Sequence, residues 1–261
     1  MAPLPISPNV DNLYKGGGAL YLAARDANGN PKGMVHLGNA PDFSLQPEVS
    51  YDEHRSSLTS EFEKDVSKAD EIGMKGSFSL EEYSAHNLNI AVLGDDVHAV
   101  SQLSGSGIEA APVTIDRLDV WYPLGSKGIT VESLVDEDET EYDEDVDFEV
   151  DAEKGWIKPL STGDIAVGMV LTAVITRTAW AAEEIRPLTN PTIEKYLHFY
   201  GDPSTGPVIE AELWKVRLTI GAEFPLITQD YGKIPCTFEV LSDRENHADT
   251  PFGRVRLTQA A

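Results

Sequence analysis

Among the residues whose types could do chemistry, the acids stand out: 44 Asp and Glu face 20 Lys and Arg in 261 residues, a formal net charge of −24. Glycoside hydrolysis needs two carboxylates at a set separation beside a sugar cleft, one to donate a proton and one to act as base or nucleophile. With acids this abundant such a pair can be drawn anywhere, so their number carries no signal. The densest run, Asp136 to Asp151, lacks the Asp-x-Asp-x-Asp-Gly spacing and the central glycine that turn a calcium loop. It reads as a surface that attracts cations loosely. The six histidines, His36, His54, His86, His98, His198 and His247, occur singly and without the spacing of a zinc site. Gly16-Gly17-Gly18 and Gly105-Ser106-Gly107 lack the Gly-Lys-Ser/Thr ending of a phosphate loop and read as hinges. There is no Gly-x-Ser-x-Gly elbow. Cys236 alternates with Phe238 and Val240 as an apolar strand residue would, and as the only cysteine it excludes an internal disulfide framework and a Cys-based zinc site. No catalytic residue, metal or cofactor is expected.

Charge also limits the partners. A field of this sign repels nucleic acid as a ligand, because phosphate contacts are built from Lys and Arg. It does not repel nucleic acid as cargo: a surface that DNA slides past without sticking is acidic for the reason that a DNA-binding surface is basic. No apolar run approaches the roughly 18 residues of a membrane helix. Residues 1–14 lack the basic and apolar regions of a signal peptide and read as an N-terminal arm.

The elements that must position any site are mostly strands, since period-2 alternation with intervening turn residues dominates the chain. The fold class expected is mainly β, a sandwich or barrel core with one flanking helix. Asn28-Gly29 closes a first hairpin between Ala19–Ala24 and Gly33–Leu37. Phe43, Leu45, Val49 and Tyr51 form one face of a half-buried strand, and Ile72, Met74, Phe78 and Leu80 one face of its expected partner. Between them, residues 52–71 read as a long protruding loop, far beyond the roughly two to five residues of an ordinary hairpin connection. Its Leu58, Phe62 and Val66 are candidate docking anchors. A helix is predicted over 79–93, with Ser79 as N-cap, Glu82 at the capping-box position and Gly94 as the stop. Its apolar stripe is Leu80, Tyr83, Leu88, Ala91 and Val92. The core is expected over 15–110 and 186–261. Residues 111–185 are a candidate inserted β-subdomain carrying the acidic loop 136–151.

Tyr14 to Asp95 resembles the N-terminal region of major tail tube proteins of long-tailed, siphovirus-type bacteriophages. The features that carry this, in order, begin with the strand Lys15-Gly16-Gly17-Gly18-Ala19-Leu20-Tyr21-Leu22 and with Leu37-Gly38-Asn39-Ala40-Pro41 before the Phe43 strand. Tyr51-Asp52-Glu53-His54-Arg55-Ser56-Ser57 then leads into the loop, and Lys64-Asp65 lies within it. Gly76-Ser77-Phe78-Ser79-Leu80-Glu81-Glu82 leads into a helix ending Val92-Leu93-Gly94-Asp95. The resemblance implies subunits joined edge to edge into hexameric rings, stacked into a hollow tube that conducts DNA at ejection. The 52–71 loop, with Arg55, Leu58, Phe62, Lys64, Asp65 and Val66, would reach the neighbouring ring. The implied partners are the chain itself, the tape measure, terminator and distal tail proteins, and DNA in the lumen, with no membrane. The implied location is the virion tail, assembled in the host cytoplasm. The alternatives are an adhesive or carbohydrate-binding β-sandwich module, whose aromatic residues would cluster on an exposed patch, and a carboxylate-pair hydrolase.

Overall fold

A computed structural model describes residues 12–58, 60–220 and 223–258. Most of the expected N-terminal arm therefore lies outside the described residues. The chain divides into two compact units, the first made of residues 1–97 and 185–261 and the second of residues 98–184. The inserted unit starts at His98 and not at 111, because the segments before Ala111 form strands of its own.

In chain order unit 1 contributes β1 (Lys15–Arg25), β2 (Pro31–His36), β3 (Asp42–Arg55), β4 (Lys64–Leu80) and α1 (Ala85–Ala91). Then β5 (Val97–Gln102), β6 (Gly105–Glu109), β7 (Val113–Thr114), β8 (Tyr122–Pro123) and β9 (Ile129–Val135) follow. They are succeeded by β10 (Phe148–Asp151), β11 (Trp156–Pro159), β12 (Val170–Arg177) and β13 (Trp180–Ile185). The return to unit 1 adds β14 (Glu194–Thr205), β15 (Val208–Ile220), β16 (Ile234–Val240) and β17 (Gly253–Thr258). Among the described residues the molecule is mainly β with one α-helix.

Unit 1 is one sheet in the order β2-β1-β14-β15-β16-β4-β3, with β17 added along the first half of β15. Phe43 of β3 stacks on Phe199 of β14 at 5.1 Å, although the two strands lie far apart in that order, so the sheet rolls back on itself. Leu20, Leu22, Leu37, Phe78, Leu197 and Phe238 fill the inside. Each such side chain stabilises the fold by about 2 kcal/mol. A close approach explains Gly18 of β1, where a Cβ would collide with the Phe199 ring, and Gly16, Gly17 and Gly18 are all paired strand residues and not hinges. In unit 2, Gly105 and Gly107 likewise belong to β6, paired with β12.

The first hairpin forms as the turn chemistry requires, with β1 against β2 and the Asp26 carboxylate accepting the N–H groups of Asn28 and Asn30. The helix differs from expectation. Ser79 is a strand residue of β4, between Asp42 on one side and Pro235 on the other, so its backbone is committed to the sheet. The N-cap is Ser84, whose Oγ accepts the Asn87 N–H at 3.2 Å. Glu82 closes no capping box; its carboxylate accepts the Asn39 N–H at 3.0 Å. Leu93, with φ 52°, takes the left-handed position at the helix end, and Gly94 donates its N–H to Asn89 at 2.9 Å. The residues α1 buries are Asn87, Asn89 and Ile90, while Tyr83 stays exposed.

Unit 2 packs its own core of Ile115, Leu134, Phe148, Ile157, Leu171 and Ile175. Between Ala111 and Trp121 the chain forms only the short β7, and β10 begins at Phe148. The acidic run is folded against this core. Asp147 is buried and accepts the N–H groups of Asp143 and Asp164. Tyr142, also buried, donates its hydroxyl to Asp136 at 2.9 Å. The chain enters and leaves unit 2 on β5 and β13, which pair with each other.

Candidate self-assembly surface

The segment expected as a loop over 52–71 is largely strand. β3 has 14 residues and β4 has 17, against about five or six for an ordinary strand. Pairing continues through Tyr51↔Ala69, Asp52↔Lys68 and Glu53↔Ser67 to Arg55↔Lys64, so only residues 56–63 form the tip. The sequence reading missed this because the distal strands are highly charged, and charge masks the alternation by which a strand is recognised. Cross-strand ion pairs hold the distal ribbon: Lys64 to Glu53 at 2.5 Å, and His54 to Asp65 at 2.6 Å. The bond from Lys64 lowers the Glu53 carboxyl below its ordinary range, and the bond from His54 does the same for Asp65.

Paired residues share a face, so Phe43 with Phe78, Leu45 with Gly76, Pro47 with Met74 and Val49 with Ile72 form one row, which continues to Tyr51 with Ala69 across a register shift. The row leaves the core as it goes. Phe78 is fully buried and Phe43 partly so, whereas Val49, Tyr51 and Ile72 are exposed at 44, 59 and 62 %. The sequence reading had Val49, Tyr51 and Ile72 facing inward; they lie on the inward face, but beyond the part of the body that could cover them. Tip and distal anchors are open too, with Leu58 93 % and Phe62 57 % exposed, and Val66 lies open on the opposite face, across from His54. Phe62 has φ 47°, a left-handed conformation unusual for an aromatic residue outside a tight turn. Arg55 closes the ribbon as the last residue of β3. Arg55, Leu58, Phe62, Lys64, Asp65 and Val66 thus share one ribbon end, whereas Ser79 and Glu82 lie elsewhere.

Two strands end the sheet, β2 and β3, each paired on one side only within the described path. Pro31 and Pro47 sit in these edge strands, where a missing N–H is tolerated.

Among the described residues no group of three or more His, Cys, Asp or Glu side chains is placed to hold a metal ion. No helix among them is long and apolar enough to cross a membrane. Cys236 is buried, and burial pushes its thiol up to about 12. His86 is held below the ordinary histidine range by burial first and by Lys195 second.

Fold and surface together define a mainly-β protein with an inserted unit and a long apolar-edged ribbon. The family described as protein of unknown function UCP028589 matches residues 13–256, and the chain belongs to it. No curated protein matches the chain.

Proposed function

We propose that the chain is a structural subunit that polymerises through the β3–β4 ribbon into a tube, the tail tube of a long-tailed bacteriophage, with DNA passing through its lumen. The observation that carries this is the apolar row that continues past the body. Side chains that are core at Phe43 and Phe78 become Val49, Tyr51 and Ile72, exposed on a ribbon held together by its own pairing. Water-exposed apolar side chains in a continuous row mark a surface that a second protein covers. The strands that end the main path of the sheet, β2 and β3, belong to different ends of one sheet. An edge-to-edge contact between them is heterologous, the type that repeats into rings or filaments. In this reading the protein catalyses nothing and DNA is cargo held off by negative charge.

Negative-stain microscopy of the purified chain tests it, with rings or tubes expected. Replacing residues 54–69 by a short Gly-Ser turn, or making the double substitution Leu58→Asp and Phe62→Asp, should leave a soluble, cooperatively melting protein that forms no tubes. Tubes of normal length from these variants, or only monomers from the unaltered chain at every salt concentration, would overturn the proposal.

A further inference from the structure

The chain has four tryptophans, and three of them, Trp121, Trp156 and Trp180, lie in unit 2. Trp214 is buried in unit 1, but Trp121 and Trp180 are 41 and 37 % exposed and Trp156 is half-buried. Each of the three carries a lysine ammonium over its ring: Lys158 at 5.1 Å from Trp121, Lys154 at 5.3 Å from Trp156 and Lys127 at 4.8 Å from Trp180. Trp156 and Trp180 line a cleft of about 250 Å³ together with Pro123, Lys127 and Lys154. The pairing of Trp156 with Pro123 puts Trp121 and Lys158 one rung further along the same face, roughly 7 Å on.

The cleft is held in shape by its own bonds. The Gln102 side chain donates to the carbonyls of Lys127 and Thr178 at 2.7 and 2.8 Å and accepts the Lys127 N–H at 3.1 Å. Leu124 donates to the Gly155 carbonyl at 2.9 Å and Thr178 to that of Gly128 at 3.0 Å. Gly155, at φ 74°, lies so close to the Ser126 carbonyl that no Cβ would fit. Arg177 bonds Ser126 Oγ at 3.2 Å behind this wall. A site already rigid loses little freedom when it binds.

Its charge is the reverse of its surroundings. Residues 98–184 hold nineteen acids and five bases, Arg117, Lys127, Lys154, Lys158 and Arg177, for a balance of 5 − 19 = −14. Two of the five, Lys127 and Lys154, line the cleft with no acid among its lining residues, and Arg177 bonds its Ser126. Lys154 is also ion-paired with Asp151 at 2.6 Å, so Lys127 is the main cation that the cleft offers a ligand. A cationic spot in an acidic unit selects an anion.

We infer that unit 2 binds an acidic saccharide in the cleft between Trp156 and Trp180. The apolar face of a sugar ring stacks on an indole and its carboxylate meets the adjacent ammonium. The further tryptophan at 121 extends the platform along the chain of sugars. This inference is independent of tube formation and applies to the chain in any assembly state.

The test titrates the full-length protein with oligogalacturonate, oligohyaluronate and sialyllactose, read by tryptophan fluorescence and calorimetry. Cellohexaose serves as the neutral control and oligothymidylate as the nucleic-acid control. Saturable binding of at least one acidic sugar with a Kd on the order of 1 mM or tighter is expected. Trp180→Ala and Lys127→Ala should each weaken it at least about tenfold, one factor of ten being 1.4 kcal/mol, with melting temperature unchanged. Lys127→Arg should retain binding. Absence of binding to all three acidic sugars, equal binding of cellohexaose, tighter binding of oligothymidylate, or unchanged affinity in both alanine variants would each overturn the inference.

Discussion

Glu212 lies in the middle of β15 and is 8 % exposed, yet it is charged. The Tyr196 hydroxyl donates to it at 2.8 Å, Arg256 reaches it at 3.1 Å and Arg254 bonds it directly. Trp214 packs against the Tyr196 ring, stacks with His247 and carries Arg254 over its face. Burial alone would raise the Glu212 carboxyl, but the bonds from Arg254 and Tyr196 outweigh it and hold the group below the ordinary range. Burial first, and the bond to Glu212 second, push the Tyr196 phenol well up. A carboxyl lower in the folded than in the unfolded state contributes stability above the ordinary glutamate range near about pH 4 and loses it as pH falls toward the folded value. Glu212→Gln should therefore be less stable at neutral pH by about 2 kcal/mol, with a shallower loss of stability on acidification. Denaturant titrations at a series of pH values check this, and parallel pH profiles for the two proteins would contradict it. Sequence reading did not single out Glu212, because the arginines of β17 that make its charge bearable reach it only through the β15–β17 ladder.

At the scale of elements, the helix start distinguishes a local signal from a tertiary one. Ser79-x-x-Glu82 matches the capping-box pattern and Ser84-Ala85-His86-Asn87 does not, yet the helix is capped at Ser84. Pairing of β4 with β16 as far as Leu80↔Ile234 fixes the choice, because Ser79 cannot leave the sheet without breaking that ladder. Ser84→Ala should destabilise the protein by about 1 kcal/mol, and Ser79→Ala by much less, in thermal melts. Equal effects would return the cap to Ser79. The ribbon shows the converse: alternation read the β3 and β4 faces correctly near the body, but the ladder from Tyr51 to Arg55 could be seen only when both strands were placed together.

Taken whole, the molecule has among its described residues two large cores with no shared member, one drawn from residues 20–93 and 193–240 and the other from residues 110–175. A small third cluster of Ala23, Tyr196 and Trp214 lies in unit 1. Since unit 2 begins and ends on paired strands, its removal leaves chain ends that a short linker can join. Replacing residues 98–184 by a Gly-Ser linker should yield a cooperatively melting unit 1. A molten product with no sharp transition would mean that the cores depend on each other. Charge acts at the same scale. Unit 2 carries −14 of the total and unit 1 the remaining −24 + 14 = −10, so both repel copies of themselves. Such repulsion is screened over about 8 Å at physiological ionic strength, so polymerisation should become easier as salt rises. Light scattering across a salt series measures this, and assembly that weakens with salt would point to attractive ion pairs at the interface.

The sequence by itself determined the mainly-β class, the Asn28-Gly29 hairpin, the alternation of Phe43, Leu45 and Phe78 toward a core, and the acidity of the surface. These are local or additive properties, set by turn chemistry, period-2 patterning and composition. Only the tertiary structure decided that β3 rolls over to meet β14, that the charged stretch after Tyr51 is a paired ribbon, that Ser84 caps the helix, and that Lys127, Lys154 and Trp180 converge on one cleft. Those depend on which segments far apart in the chain pair with one another, and a ladder between distant strands leaves no periodic mark in either strand taken alone.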